Sequence, residues 1–140
     1  MNLILEFVHE HILAFDLSMF VLIWLVQIII YPVFLYITED QFLVWHKIYC
    51  KRISYFVLPL MIAQLFESAA GCFFVGSPLE WIKLGFVLSA WIFTFLISAP
   101  CHQKLTKYGK VEREISKLIS TNWYRTWIWS VVLIISYLQY

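Results

Sequence analysis

Two histidines lie at the edges of long apolar stretches in this sequence. His46 precedes the second stretch, and His102 follows the third in the segment "SAPCHQKL". Imidazole nitrogens bind transition metals and haem iron, and short connections in a helical bundle bring neighbouring helix ends together. The sequence therefore predicts that His46 and His102 lie together at one end of the bundle, where with Arg125 they could bind a metal, a haem edge or an anionic head group. The alternative is that both are interfacial residues bonded to backbone carbonyls.

A polar stripe opens the last apolar stretch. Asn122, Thr126 and Ser130 follow one another at four-residue spacing, so they share a helical face, and Arg125 lies beside them. A guanidinium at the positive end of a helix favours an anionic group. We predict that Asn122, Arg125 and Ser130 bind a ligand, and Arg125 is also a candidate catalytic residue.

Glu67 lies inside an apolar stretch, where a carboxylate must be paired or protonated. Gln64, Ser68 and Gly71 share its helical face, so that face should point into the protein. One interpretation is a proton-handling carboxyl, which makes Glu67 a second candidate catalytic residue. The other is a protonated glutamic acid that donates a hydrogen bond to a neighbouring helix.

Four polar residues lie near the centres of four separate apolar stretches: Gln27, Gln64, Ser89 and Ser130. In an up-down bundle they would meet at one depth, so the sequence predicts a polar layer that binds a ligand. The alternative is hydrogen bonding that only holds the helices together.

The remaining metal-binding residue types carry weaker signals. The three cysteines, Cys50, Cys72 and Cys101, form no CxxC pair, and we interpret them as packing residues. His9 and His11 are two residues apart, so on a helix their side chains diverge and a solvated polar face is expected.

Composition places these residues in a membrane protein. Of 140 residues, 62% are hydrophobic and only 14% are charged, which is outside the range of soluble domains. At about 20 apolar residues per crossing, the chain forms a single domain over residues 1–140 with four predicted spans. These cover about 17–37, 53–75, 78–99 and 123–138.

Local signals predict where helices begin. In "VGSPLEW", Ser77 is placed as the N-cap, Pro78 as the first helical residue and Glu80 three residues after the cap. Thr38 has capping-box spacing to Gln41 before the second span. Apolar residues at helical spacing over 111–119 predict a short interfacial helix in the third loop. The predicted fold is all-α, a four-span up-down bundle with short interfacial helices at the N-terminus and in this loop.

Charge distribution predicts orientation and excludes one class of partner. Eight of the ten basic residues fall in the first and third loops, which should be cytoplasmic, so both termini are expected outside the cytoplasm of a bacterial inner membrane. A net charge of +1 with no basic block argues against nucleic acid. The expected partners are the lipid bilayer, a lipophilic small molecule and a partner membrane subunit.

The motifs "WHKIY" (45–49), "APCHQKL" (99–105) and "NWYRTWIW" (122–129) resemble an uncharacterised family of small four-helix bacterial integral membrane proteins. More distantly, a span ending in proline and a last helix opening "N..RT" is similar to the anthrone-oxygenase-like domain of unknown function. That similarity implies a hydrophobic, often aromatic substrate, with Asn122 and Arg125 at the matching positions. The size and the tyrosine and proline near the end of an early span are also similar to bacterial protoporphyrinogen oxidase, although the first span lacks the histidine expected at its inward place.

Two functions follow as hypotheses. The first is a bundle that binds a lipophilic small molecule, as a binding protein or a small oxidoreductase or oxygenase-like enzyme. The second is a non-catalytic accessory or assembly subunit, whose many aromatic residues face partner helices or lipid.

Overall fold

The computed structural model describes residues 3–139, except for the side chains of residues 4, 5 and 8, and its regular elements are all helical. The all-α prediction is confirmed. A short helix α1 precedes four long helices, which are α2 (Ile12–Val33), α3 (Glu39–Phe74), α4 (Pro78–Tyr108) and α5 (Glu112–Gln139), with α1 covering Leu3–Glu10.

The four long helices pack side by side in a ring. Each packs against the next along the chain, and α5 closes the ring by packing on α2. The connections between them are short, so neighbouring helices run antiparallel. This arrangement brings the end of α2, the start of α3, the end of α4 and the start of α5 to one end of the protein.

Three of these helices, α2, α3 and α4, are long and apolar enough to cross a membrane. The longest, α3, has 36 residues and is about 54 Å long at 1.5 Å per residue. Since a hydrocarbon core is about 30 Å thick, a membrane-spanning α3 extends well beyond it. In α5, the apolar part begins only at Trp123, after a charged segment.

The helix start at Pro78 confirms the local prediction. The Ser77 hydroxyl accepts a hydrogen bond from the Glu80 backbone N–H at 3.3 Å, as an N-cap does. A helix also starts after Thr38, at Glu39, but the Thr38 side chain makes no capping hydrogen bond.

The predicted interfacial helix of the third loop is wrong. Residues 111–119 do not form a separate element, because α4 continues to Tyr108 and α5 runs without a break from Glu112 to Gln139. Gly109 makes the turn between them with a φ of 84°, a conformation that favours glycine. The apolar stripe of this segment packs into the protein: Ile115 and Leu118 are fully buried beside Phe34 and Phe42.

Two helices contain a wider, π-helical turn that ends two residues before a proline. In α2 it covers Val26–Ile30, ahead of Pro32, and in α4 it covers Thr94–Ser98, ahead of Pro100. Proline lacks an N–H and its ring clashes with the carbonyl four residues earlier. The wider turn accommodates this defect and lets each helix continue. Both turns also carry polar residues, and π-bulges often lie at functional sites.

Candidate ligand cavity and histidine cluster

The end at which the helices meet holds a compact cluster of histidine, cysteine and tyrosine. His46 and Cys50 lie one turn apart on α3, and His102 faces them from α4. His46 Nε2 is 3.0 Å from His102 Nδ1, and the Cys50 sulfur is 3.6 Å and 3.7 Å from these two nitrogens. The predicted approach of His46 and His102 is confirmed, and Cys50 joins them. We name these three residues the histidine cluster.

Neighbouring side chains fix the orientation of both imidazoles. The Tyr31 hydroxyl lies 3.1 Å from His102 Nε2, and the Thr106 hydroxyl lies 3.2 Å from His46 Nδ1. Phe42 stacks on the His46 ring, and Phe34 meets its edge. His46 is completely buried. Each ring therefore has one nitrogen held by a hydroxyl and the other facing the second ring.

A haem held between the two histidines does not fit this geometry. Iron between two axial nitrogens requires a separation of about 4 Å, twice a metal–nitrogen bond of about 2.0 Å. The observed separation is 3.0 Å, with the Cys50 sulfur beside the same gap. The cluster is the size of a single metal ion.

Arg125 lies nearby on α5 and is 95% buried. One of its terminal nitrogens donates hydrogen bonds to Asn122 Oδ1 at 3.1 Å and to Ser98 Oγ at 3.4 Å. Asn122 in turn donates to Gln27 Oε1 at 2.9 Å, and Gln27 donates to the Ile119 carbonyl. All these partners are neutral, and within residues 3–139 no carboxylate forms an ion pair with Arg125.

A cavity of about 520 Å³ connects Arg125 with the histidine cluster. Its walls are mainly apolar, with Met19, Ile23 and Val57 among the deeper residues. Its polar lining includes Tyr31, Tyr49, Cys50, Ser98, His102 and Arg125. Exposed residues of α3 (Leu58) and α4 (Gln103, Lys107) also line it, so the cavity opens between these two helices.

A second buried polar cluster lies toward the other end of the protein. Lys83 donates a hydrogen bond to Glu67 at 2.7 Å and lies 3.8 Å from Asp16, and all three side chains are at most 5% exposed. Gln64 and Ser136 also donate hydrogen bonds to Asp16. We name Asp16, Glu67 and Lys83 the charge triad. Two carboxylates share one ammonium group there, so Glu67 has the partner that a buried carboxylate requires.

The candidate site residues therefore divide into separate places. Gln27, Asn122 and Arg125 form one network beside the cavity, whereas Gln64 and Glu67 belong to the charge triad and its surroundings. The structure does not bring Glu67 to Arg125, so the two candidate catalytic residues do not form one site.

The four residues of the predicted polar layer do not hydrogen-bond to one another. Gln27 bonds to Asn122, Gln64 bonds to Asp16, and Ser89 bonds to the Phe86 carbonyl of its own helix. Ser130 accepts from the Trp24 indole N–H and donates to the Thr126 carbonyl. Each residue has its own partner, and the hydrogen bonds of Gln27 and Gln64 each join two helices, as the alternative of hydrogen bonds that hold the helices together expects.

Four residues in or beside these two clusters were missed in the sequence. Cys50 was interpreted as a packing residue, although its four-residue spacing from His46 places both on one helical face. Tyr31 carried no signal except its position next to Pro32. Asp16 and Lys83 lie near helix ends, where charged residues ordinarily face water, and yet each is 1% exposed.

No protein-family model, no curated protein and no solved structure matches this chain. The resemblance to small four-helix membrane proteins stays a prediction, and the geometry of the site carries the functional argument.

Proposed function

We propose that this protein is an integral membrane protein that binds a lipophilic small molecule with an anionic end. The observation that carries the proposal is Arg125, a buried guanidinium with only neutral hydrogen-bond partners, in the wall of an apolar cavity.

A buried charge is strongly unfavourable unless it is paired. Within the described residues, Arg125 has no carboxylate partner, and its Nε atom is buried without a hydrogen-bond acceptor. A carboxylate or phosphate group on a ligand would supply both the negative charge and the acceptor for Nε, because the planar guanidinium binds such groups with two parallel hydrogen bonds.

The rest of the cavity suits the apolar body of such a ligand. Its volume of about 520 Å³ falls within the range of about 300–1,000 Å³ for small-molecule sites, which are mostly apolar with a few polar groups. Its opening between α3 and α4 would face the bilayer, so a lipophile could enter sideways without crossing water.

We also propose that the chain crosses a bacterial inner membrane four times with both termini outside the cytoplasm. The apolar part of α5 from Trp123 would be the fourth span. Lys83 and Arg125 are buried, and the other eight basic residues all lie at the end that carries the histidine cluster. This distribution supports a cytoplasmic location of that end by the positive-inside rule.

The Asn122→Asp variant tests the role of Arg125. It places a carboxylate at the position that now accepts a hydrogen bond from Arg125 at 3.1 Å, so Arg125 gains an internal counter-ion and a bound anion meets a like charge. We expect the affinity for a fluorescent long-chain fatty acid, measured by titration in detergent, to fall at least about tenfold. The affinity for the methyl ester of the same probe should change little.

The matched control is Ser120→Asp, which adds the same charge to an exposed position on α5. If Ser120→Asp lowers the affinity for the fatty acid as much as Asn122→Asp does, the loss of affinity comes from long-range electrostatics. If Asn122→Asp leaves the acid affinity unchanged, or if the wild type binds neither probe, the proposed function is wrong.

A further inference from the structure

The histidine cluster has the donor set of a soft transition-metal site. His46 and His102 supply two imidazole nitrogens, and Cys50 supplies a thiol, which is a free cysteine in this structure. Thiolate and imidazole together are typical ligands of copper and zinc. We propose that His46, Cys50 and His102 bind Cu(I). This inference does not depend on the anionic ligand proposed for Arg125.

The three donor atoms already have the spacing that a bound ion requires. They form a triangle with sides of 3.0, 3.6 and 3.7 Å, and the circle through its corners has a radius of about 2.0 Å. Metal–nitrogen bonds are about 2.0–2.1 Å long, and metal–sulfur bonds about 2.3 Å. An ion close to the plane of the triangle therefore reaches all three atoms with small side-chain movements, in a trigonal geometry known for His₂Cys copper sites.

The hydroxyl partners of the two rings suit metal ligation. A metal-bound histidine ordinarily donates its other ring N–H to an acceptor, which fixes the tautomer. Here Thr106 can accept from His46 Nδ1, and Tyr31 can accept from His102 Nε2. With both rings in those tautomers, two lone pairs face each other at 3.0 Å, and a cation between them relieves their repulsion. Without a metal, one of the two imidazoles must instead adopt the other tautomer, so that its N–H donates a hydrogen bond to the facing nitrogen of the other ring.

The charges around the cluster favour a monovalent ion. Within the described residues no carboxylate contacts the cluster. The charged groups that line the adjoining cavity are the exposed Lys107 and the buried Arg125 guanidinium. Cu(I) with a Cys50 thiolate is neutral overall. Zn(II) with the same thiolate leaves a positive charge beside Arg125 in surroundings of low polarity, which is unfavourable.

Binding also displaces one proton. The imidazoles need only change tautomer, whereas Cys50 must lose its thiol proton, because the thiolate is the metal ligand.

The test is an anaerobic titration of the detergent-purified full chain with Cu(I) held by a coloured bicinchoninate chelator. We expect one Cu(I) per chain, with the affinity reduced at least about 100-fold in Cys50→Ser and about 10- to 100-fold in Thr106→Val. His102→Gln, which keeps a polar side chain, serves as a second ligand variant and should lose as much affinity as Cys50→Ser. Circular dichroism confirms that each variant is folded.

The matched control is Cys101→Ser, which changes a buried cysteine of α4 that packs in the apolar core and is not part of the cluster. It should bind Cu(I) like the wild type. The proposal is overturned if the wild type binds no Cu(I), or if folded Cys50→Ser and His102→Gln bind it as well as the wild type. A parallel titration with Zn(II) that gives tighter binding through the same residues overturns the assignment to Cu(I).

Discussion

Replacing Lys83 by methionine should destabilise the protein by about 3–5 kcal/mol. Lys83 is 1% exposed and is the ammonium group that Asp16 and Glu67 share. Without it, Asp16 has no cation within the described residues, and Glu67 keeps only His9, which lies 3.4 Å away with its side chain 65% exposed. Burying an unpaired charge is far more unfavourable than losing a surface ion pair. The loss can be measured as a shift in the denaturant midpoint of the detergent-solubilised protein.

Lys104→Met is the matched control, because Lys104 pairs with Glu114 at 3.1 Å and its side chain is 52% exposed, whereas that of Glu114 is 11% exposed. An ion pair whose cation is solvated contributes less than one that is buried on both sides, so Lys104→Met should lose less stability than Lys83→Met. The triple variant Asp16→Asn, Glu67→Gln and Lys83→Met removes all three charges together and should recover most of the stability lost in Lys83→Met. A Lys83→Met variant no less stable than Lys104→Met would show that the charge triad is not a paired buried cluster.

Replacing Arg125 by glutamine should reduce the affinity for an acidic lipophile at least about 30-fold. Loss of one partner of a buried, hydrogen-bonded charge pair ordinarily costs about 2–5 kcal/mol, and 2 kcal/mol corresponds to about 30-fold. Glutamine removes the charge and keeps a polar side chain, and the Asn122–Gln27 hydrogen bond, which does not involve Arg125, should survive. The measurement is titration with the fluorescent fatty acid and its methyl ester.

The methyl ester separates a lost charge from a damaged cavity. If Arg125 binds the anionic end, Arg125→Gln lowers the affinity for the fatty acid and leaves the affinity for the methyl ester nearly unchanged. Arg125→Lys keeps the charge but not the planar guanidinium, so it should give an intermediate loss of affinity for the acid. Equal weakening of acid and ester would mean that Arg125 supports the packing of the cavity and does not bind the anion.

The architecture was largely predictable from the sequence because it depends on local chemistry. Long apolar stretches and the cap at Ser77 predict helices and one helix start without any knowledge of the partners. The segment around Ile115 shows the limit of this reasoning. Its apolar stripe is equally suited to a membrane interface and to a protein core, and only the protruding ends of the other helices, with Phe34 and Phe42, decide for the core.

The sites were predictable only in part, because they depend on which side chains of different helices face one another. His46, His102 and Arg125 stood out because charged or metal-binding residues are rare in such a chain. Their partners did not, since the sequence does not state how far each helix is rotated about its axis. Lys83 is an example: it lies near the start of α4, where a lysine ordinarily faces water, but its rotation on α4 turns it toward Asp16 and Glu67.

The central claim is that the buried charge of Arg125 is neutralised by the anionic end of a bound lipophile. The most direct test is native mass spectrometry of the protein as extracted from its membrane, comparing the wild type with Asn122→Asp. We predict that one small acidic lipophile remains bound per wild-type chain and is lost from Asn122→Asp while that variant stays folded. A wild-type chain with no such adduct, or an adduct retained equally by Asn122→Asp, would contradict the claim.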